Sequence, residues 1–232
     1  MTLGSQVVAT HTEPIADARP RFSLGEERAH YLSHGLGAAF SIPAVALLLL
    51  LAVRRSPATL VGCAVYGAAL VLMYAASTVY HAIPFARPRT KRAFQRVDHC
   101  AIFLLISGTY TPLALTVLRN THGYLLLATV WAVSALGSFL VVSRRSPGRG
   151  GPLLMYLAMS GAVALTLPEV TRALGAHALF LLLAGGLAYA VGVLFYALRR
   201  IRYHHAIWHG FVLIGSALHF LAISWFVVPY VR

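Results

Sequence analysis

The chain has 232 residues, 59% of them hydrophobic and 11% charged, with a mean hydropathy of +0.74. So little charge cannot cover the surface of a water-soluble domain of this length, which excludes the soluble globular classes. The net charge of +13 does not signal nucleic-acid binding, because the basic residues form short clusters between apolar runs rather than a stripe along one helix face.

Residues 1–28 are polar, carry Pro14 and Pro20, and hold four of the six acidic residues: Glu13, Asp17, Glu26 and Glu27. No apolar core with a small-residue cleavage site occurs there, so the stretch reads as a cytoplasmic tail and lead-in rather than a signal peptide. An amphipathic lead-in (26–34) opens onto the first of seven apolar segments: 36–53, 58–80, 100–118, 124–142, 152–167, 176–198 and 206–228. Helices need roughly 17 to 25 residues to cross the hydrocarbon layer, and only 152–167 falls short. Arg55-Ser56-Pro57, the run from Pro84 to Pro88, Ser146-Pro147-Gly148 and Pro168-Glu169 punctuate the segments. Pro112 is expected to kink or end the third helix, and Gly185, Gly186 and Gly192 point to close packing of the sixth. Cys63 and Cys100 would lie at opposite faces and read as small apolar core residues.

The expected fold is therefore an all-α bundle of seven transmembrane helices in the cell membrane, formed by residues 29–232. Seven crossings put Arg54, Arg55, Arg119, Arg172 and Arg232 on one side and the other fourteen basic residues on the opposite side. That bias makes the N-terminus cytoplasmic and the C-terminus external. If 152–167 did not cross, Arg172, Arg199, Arg200, Arg202 and Arg232 would all change sides and the bias would fall to thirteen against six.

In the seventh segment, His205 and His209 stand four residues apart, on one helix face, in reach of one metal ion. This is not a metalloprotease HExxH, because Ala206 occupies the glutamate position. The seven-span topology brings Ser77 and His81 from the end of the second segment, and Asp98 from a helix end at the start of the third, to the same cytoplasmic level. Three histidines and a water make a catalytic zinc site with one open position. Asp98 is placed to take or orient the proton of that water, and Ser77 to hold the water, the substrate or a ligand. Imidazoles favour zinc, with copper, iron and nickel also open to these residue types. Glu26, His30 and His34 share a stripe that can brace the bundle or form a secondary site. His219, about 21 Å deeper than His205, reads as a packing or hydrogen-bonding residue. His11, His122 and His177 read as loop or helix-end residues.

At these residues the chain resembles the hemolysin III branch of the progestin and adipoQ receptor family. The resemblance is carried by 26–38 (EERAHYLSHGLGA), 75–82 (AASTVYHA), 96–112 (RVDHCAIFLLISGTYTP) and 205–220 (HAIWHGFVLIGSALHF). It implies a seven-helix bundle with a cytoplasmic N-terminus and a zinc ion near the cytoplasmic face. The family's zinc histidines would map to His81, His205 and His209, and its serine and aspartate to Ser77 and Asp98. His30 departs from the asparagine frequent in relatives. Related membrane proteins include alkaline ceramidases, so the expected activity is that of a zinc-dependent hydrolase or regulator acting on membrane lipids such as ceramide-like amides. The alternatives are a cytolytic pore-forming hemolysin with structural zinc and a lipid-sensing receptor. Membrane lipids are the expected partners; nothing in the sequence names a protein partner.

Overall fold

The computed structural model describes residues 22–143 and 150–230. Of the residues weighed above, His11, Glu13, Pro14, Asp17, Arg19, Pro20, Arg21, Arg144, Arg145, Ser146, Pro147, Gly148, Arg149 and Arg232 lie outside that set. Among the described residues there is no strand. The helices are α1 (Leu24–Ala52), α2 (Pro57–Ala82), α3 (Pro88–Thr116), α4 (Thr121–Val142), α5 (Gly150–Gly161), α6 (Leu167–Ala197) and α7 (His204–Ala222). A 3-10 turn, Ala162–Thr166, joins α5 to α6, and a π-helical turn, Ile223–Val227, finishes α7.

α1 starts well ahead of its apolar segment because a capping box fixes its first turn. Ser23 Oγ accepts from Glu26 N at 3.2 Å, and Ser23 N donates back to the Glu26 carboxylate at 2.9 Å. The lead-in is thus the first three turns of α1, with Glu27, His30 and His34 turned inward. α2 is capped by Ser56 with Pro57 in its first turn.

α3 also starts early. Pro88 presets its first turn, and Lys91 Nζ donates to the Tyr80 and Ile83 carbonyls at the end of α2, at 3.2 and 2.9 Å. The polar stretch 88–99 therefore stays helical, which corrects the expected position of Asp98: it lies about three turns inside α3 rather than at a helix end.

Pro112 does not end α3, which continues to Thr116. What the position does is admit α2. A Cβ added to Gly62 would stand 2.7 Å from Pro112 Cα, and backbone cannot yield as a side chain can. Gly62→Ala is expected to cost about 1–3 kcal/mol through overpacking. The check is the melting temperature in detergent; an unchanged value would contradict this contact.

The break expected at Pro168-Glu169 falls instead at Gly175. Pro168 sits in the first turn of α6, where its missing N–H is harmless, and the helix continues through it. Gly175 has φ 80° and ψ 177°, a conformation open to glycine, and divides α6. Before that break the chain follows α3. Tyr156 Oη donates to His99 O at 2.8 Å, Tyr110 Oη donates to Met159 O at 2.8 Å, and Asn120 Nδ2 donates to Glu169 Oε2 at 3.0 Å. After the break it packs along α7, where Gly192 admits Trp208 and Phe211.

Among the described residues, six stretches are long and apolar enough to cross a membrane, one of them the composite 151–197. Large apolar side chains such as Phe40, Leu50, Phe139 and Phe180 point outward, more than half exposed. Such a belt would drive aggregation in water and is the solvated face in lipid.

Candidate metal centre

Four helices bring polar side chains to one end of the bundle. α1 supplies Glu27, His30 and His34 from its first turns, and α2 supplies Ser77 and His81 from its last. α3 supplies Lys91 and Asp98, and α7 supplies His205 and His209 from its first turns. All of these are buried. The Tyr203 amide, just before α7, donates to Glu26 at 3.2 Å and fixes the start of α7 beside that of α1.

His81, His205 and His209 each present a ring nitrogen, and the three atoms lie within 4.8 Å of one another. The surrounding hydrogen bonds orient two of these rings. His81 Nδ1 is 2.6 Å from Glu27 Oε2, while its Nε2 has no protein partner. A carboxylate behind one nitrogen leaves the lone pair of the other for a metal and makes it a stronger donor. His209 Nδ1 lies 3.2 Å from the His30 carbonyl oxygen and 3.0 Å from Ser33 Oγ. A carbonyl only accepts, so the proton belongs on Nδ1 and the lone pair on Nε2. His34 lies flat against His209, ring centres 3.6 Å apart and planes 8° apart, and holds its orientation. A buried set of neutral imidazoles, one backed by a carboxylate, is a donor set that fits a divalent ion of the zinc type.

Behind His81, Glu27 also meets Lys91 Nζ at 3.0 Å. Lys91 stands 4.9 Å from the Tyr80 ring centre and 4.7 Å from that of Phe85, so its charge is held by carbonyls, a carboxylate and two π faces.

On the other side of the histidines lies a cavity of about 360 Å³ whose lining includes Ser77, Asp98, His205 and His209 at one end and Leu105 and Val193 among its apolar walls. The Ser77 hydroxyl is the hydrogen-bonding neighbour of the Asp98 carboxylate. Ser77, Asp98, His81, His205 and His209 are therefore brought together.

The stripe on α1 needs a correction. Glu26 is occupied by the cap of α1 and by Tyr203, and Glu27 is the carboxylate that faces the histidines. The Glu27-x-x-His30-x-x-x-His34 spacing marks one helix face and was the available signal. Lys91, counted above only as a topology charge, is the other residue the sequence reading missed. His219 bonds Gly215 O at 2.8 Å and stacks on Tyr189, as expected of a packing residue. His122 pairs with Glu169 at 3.0 Å near the opposite end.

Comparison with known proteins adds an independent line. A family model described as Haemolysin-III related matches residues 22–220. Hemolysin-3 of Bacillus cereus is 37% identical over 205 residues, covering 88% of this chain and 93% of the relative. The Hemolysin-3 homolog of Bacillus subtilis (strain 168) is 35% identical over 218 residues, covering 89% and 97%. More distant is the Heptahelical transmembrane protein ADIPOR2 of Oryza sativa subsp. japonica, 29% identical over 172 residues, covering 65% of this chain and 75% of that one.

Proposed function

The chain belongs to the haemolysin-III-related family and is a multi-pass membrane protein, and from that premise we propose that it is a zinc-dependent hydrolase or lipid-state regulator acting on bilayer lipids. The observation that carries this reading is the buried His81–His205–His209 set, backed by Glu27 and open on its other side to an apolar-walled cavity.

In this reading the bundle crosses the membrane seven times, with residues 1–28 as a cytoplasmic tail and lead-in and 29–232 as the membrane domain. Support comes from three sides. α2 ends and α7 begins at the same end of the bundle, which favours an even number of crossings between them. The contacts of Tyr156 and Tyr110 with α3 and of Glu169 with Asn120, together with the break at Gly175, support a second crossing within 151–197. The name of the rice relative describes that protein as heptahelical. The excess of basic residues on the side of the histidines favours a cytoplasmic site.

The substrate class that suits the cavity is a lipid amide of the ceramide kind. Apolar walls such as Leu105 and Val193 receive the acyl chain and exclude water from it. When bound, zinc polarises a carbonyl oxygen and lowers the pKa of water to about 7. Asp98 takes the proton of the attacking water as the new C–O bond forms at the amide carbon. It returns that proton to the nitrogen as the C–N bond breaks, giving a carboxylic acid and an amine. Ser77 fixes the Asp98 carboxylate for both transfers. Purified protein assayed on ceramide-like amides should turn over only with zinc present, and His81→Ala should lose that turnover. Equal turnover in wild type and His81→Ala would sink the enzyme reading.

The name Hemolysin-3 carried by the two Bacillus relatives favours a second reading, a cytolytic protein with structural zinc. Dye release from liposomes that persists in His81→Ala, without amide turnover, would select it.

A further inference from the structure

His30 is a buried group that the three-histidine set leaves unused. Its side chain is 0% exposed, and its Nε2 has no hydrogen-bond partner. Nδ1 stands 3.5 Å from Glu27 Oε2, whose short contact goes to His81. Full burial leaves the desolvation of Nε2 uncompensated and that of Nδ1 only partly offset by Glu27, and such a group calls for a ligand.

The ring positions say which one. The His30 ring centre lies 4.6 Å from that of His81, 4.8 Å from His205 and 5.4 Å from His209. Among themselves those three are 5.1, 5.2 and 4.7 Å apart. Six separations within 4.6–5.4 Å describe four rings at the corners of a nearly regular tetrahedron. Four imidazoles on one tetrahedral ion, with metal–nitrogen bonds of about 2.0 Å, put their ring centres about 5 Å apart. Phe22 closes the outer side of His30, edge to face at 4.7 Å. The His30 nitrogens group with Glu27 and His81 rather than with His205 and His209. Turning the flat ring about its Cβ–Cγ bond exchanges nitrogen and carbon edges within the same outline.

We propose that His30 is a fourth imidazole ligand of the metal centre, which at rest is held by His30, His81, His205 and His209. The inference rests on the zinc reading above and changes its coordination: the resting site is closed. A substrate or water arriving from the Ser77–Asp98 side then enters as a fifth ligand, a number that zinc accepts.

X-ray absorption at the zinc edge of the full-length, zinc-loaded protein counts imidazole ligands directly. Four imidazoles are expected in the wild type, and three with one oxygen in His30→Phe, which keeps the ring against Phe22 and removes both nitrogens. Zinc affinity of His30→Phe, by chelator competition, should fall by at least about tenfold. If His30→Phe does not fold, His30→Gln serves for the same comparison, and the wild-type spectrum decides alone. Three imidazoles and an oxygen in the wild type, or an unchanged spectrum and affinity in the variant, would overturn the role of His30 and leave the zinc reading standing. Failure of the wild type to take up zinc would remove both.

Discussion

Glu27→Gln is expected to damage stability and metal binding together. Glu27 is 6% exposed and joins Lys91 at 3.0 Å to His81 at 2.6 Å, so one carboxylate compensates a buried ammonium and orients an imidazole of the candidate metal set. Removing one member of a buried ion pair costs about 3–5 kcal/mol, because the surviving charge stays desolvated. The carbonyls of Tyr80 and Ile83 and the two aromatic faces still hold Lys91, which places the expected loss near about 3 kcal/mol. Zinc affinity should fall by roughly 10- to 100-fold, the usual effect of losing the partner of a ligating histidine. Melting in detergent and chelator competition measure the two effects separately. A loss of stability with unchanged zinc affinity would mean that Glu27 serves Lys91 alone.

Asp98→Asn is expected to do the opposite: zinc retained, turnover lost. Asp98 lines the cavity beside His205 and His209 and bonds Ser77, but it does not belong to the histidine set. Its proposed work is proton transfer, which contributes about 10²- to 10⁴-fold to a rate. The amide keeps the shape and the Ser77 contact while losing the basic oxygen. Turnover on ceramide-like amides should drop by that range at unchanged zinc stoichiometry. Turnover within about twofold of wild type would remove Asp98 from the chemistry.

Much of this was legible in the sequence because lipid imposes strong rules. Apolar runs of the right length found the helices, and Ser77, His81, Asp98, His205 and His209 emerged from topology and four-residue spacing before any coordinates. The errors at the helix starts share a cause. Hydropathy marks where a helix enters hydrocarbon, not where it begins, so the polar first turns of α1 and α3 were cut off. Asp98 was consequently put at a helix end. Glu27 and Lys91 read as tail and topology charges because nothing in a linear pattern says that two opposite charges, one on α1 and one on α3, will meet behind a histidine on α2. Glu26 and Glu27 are adjacent, and only the capping box of Ser23 decides which of them turns outward. Pro168 looked like a terminator because a proline ends helices in their interior; in the first turn of α6 it starts one, and Gly175 makes the break.

The zinc content of purified protein, compared with a His205→Ala/His209→Ala variant, tests the metal centre most directly. One zinc per chain is expected in the wild type, and a small fraction of that in the variant, with both remaining folded in detergent. Equal zinc in the two proteins, or none in a wild type supplied with zinc, would contradict a metal centre at these histidines.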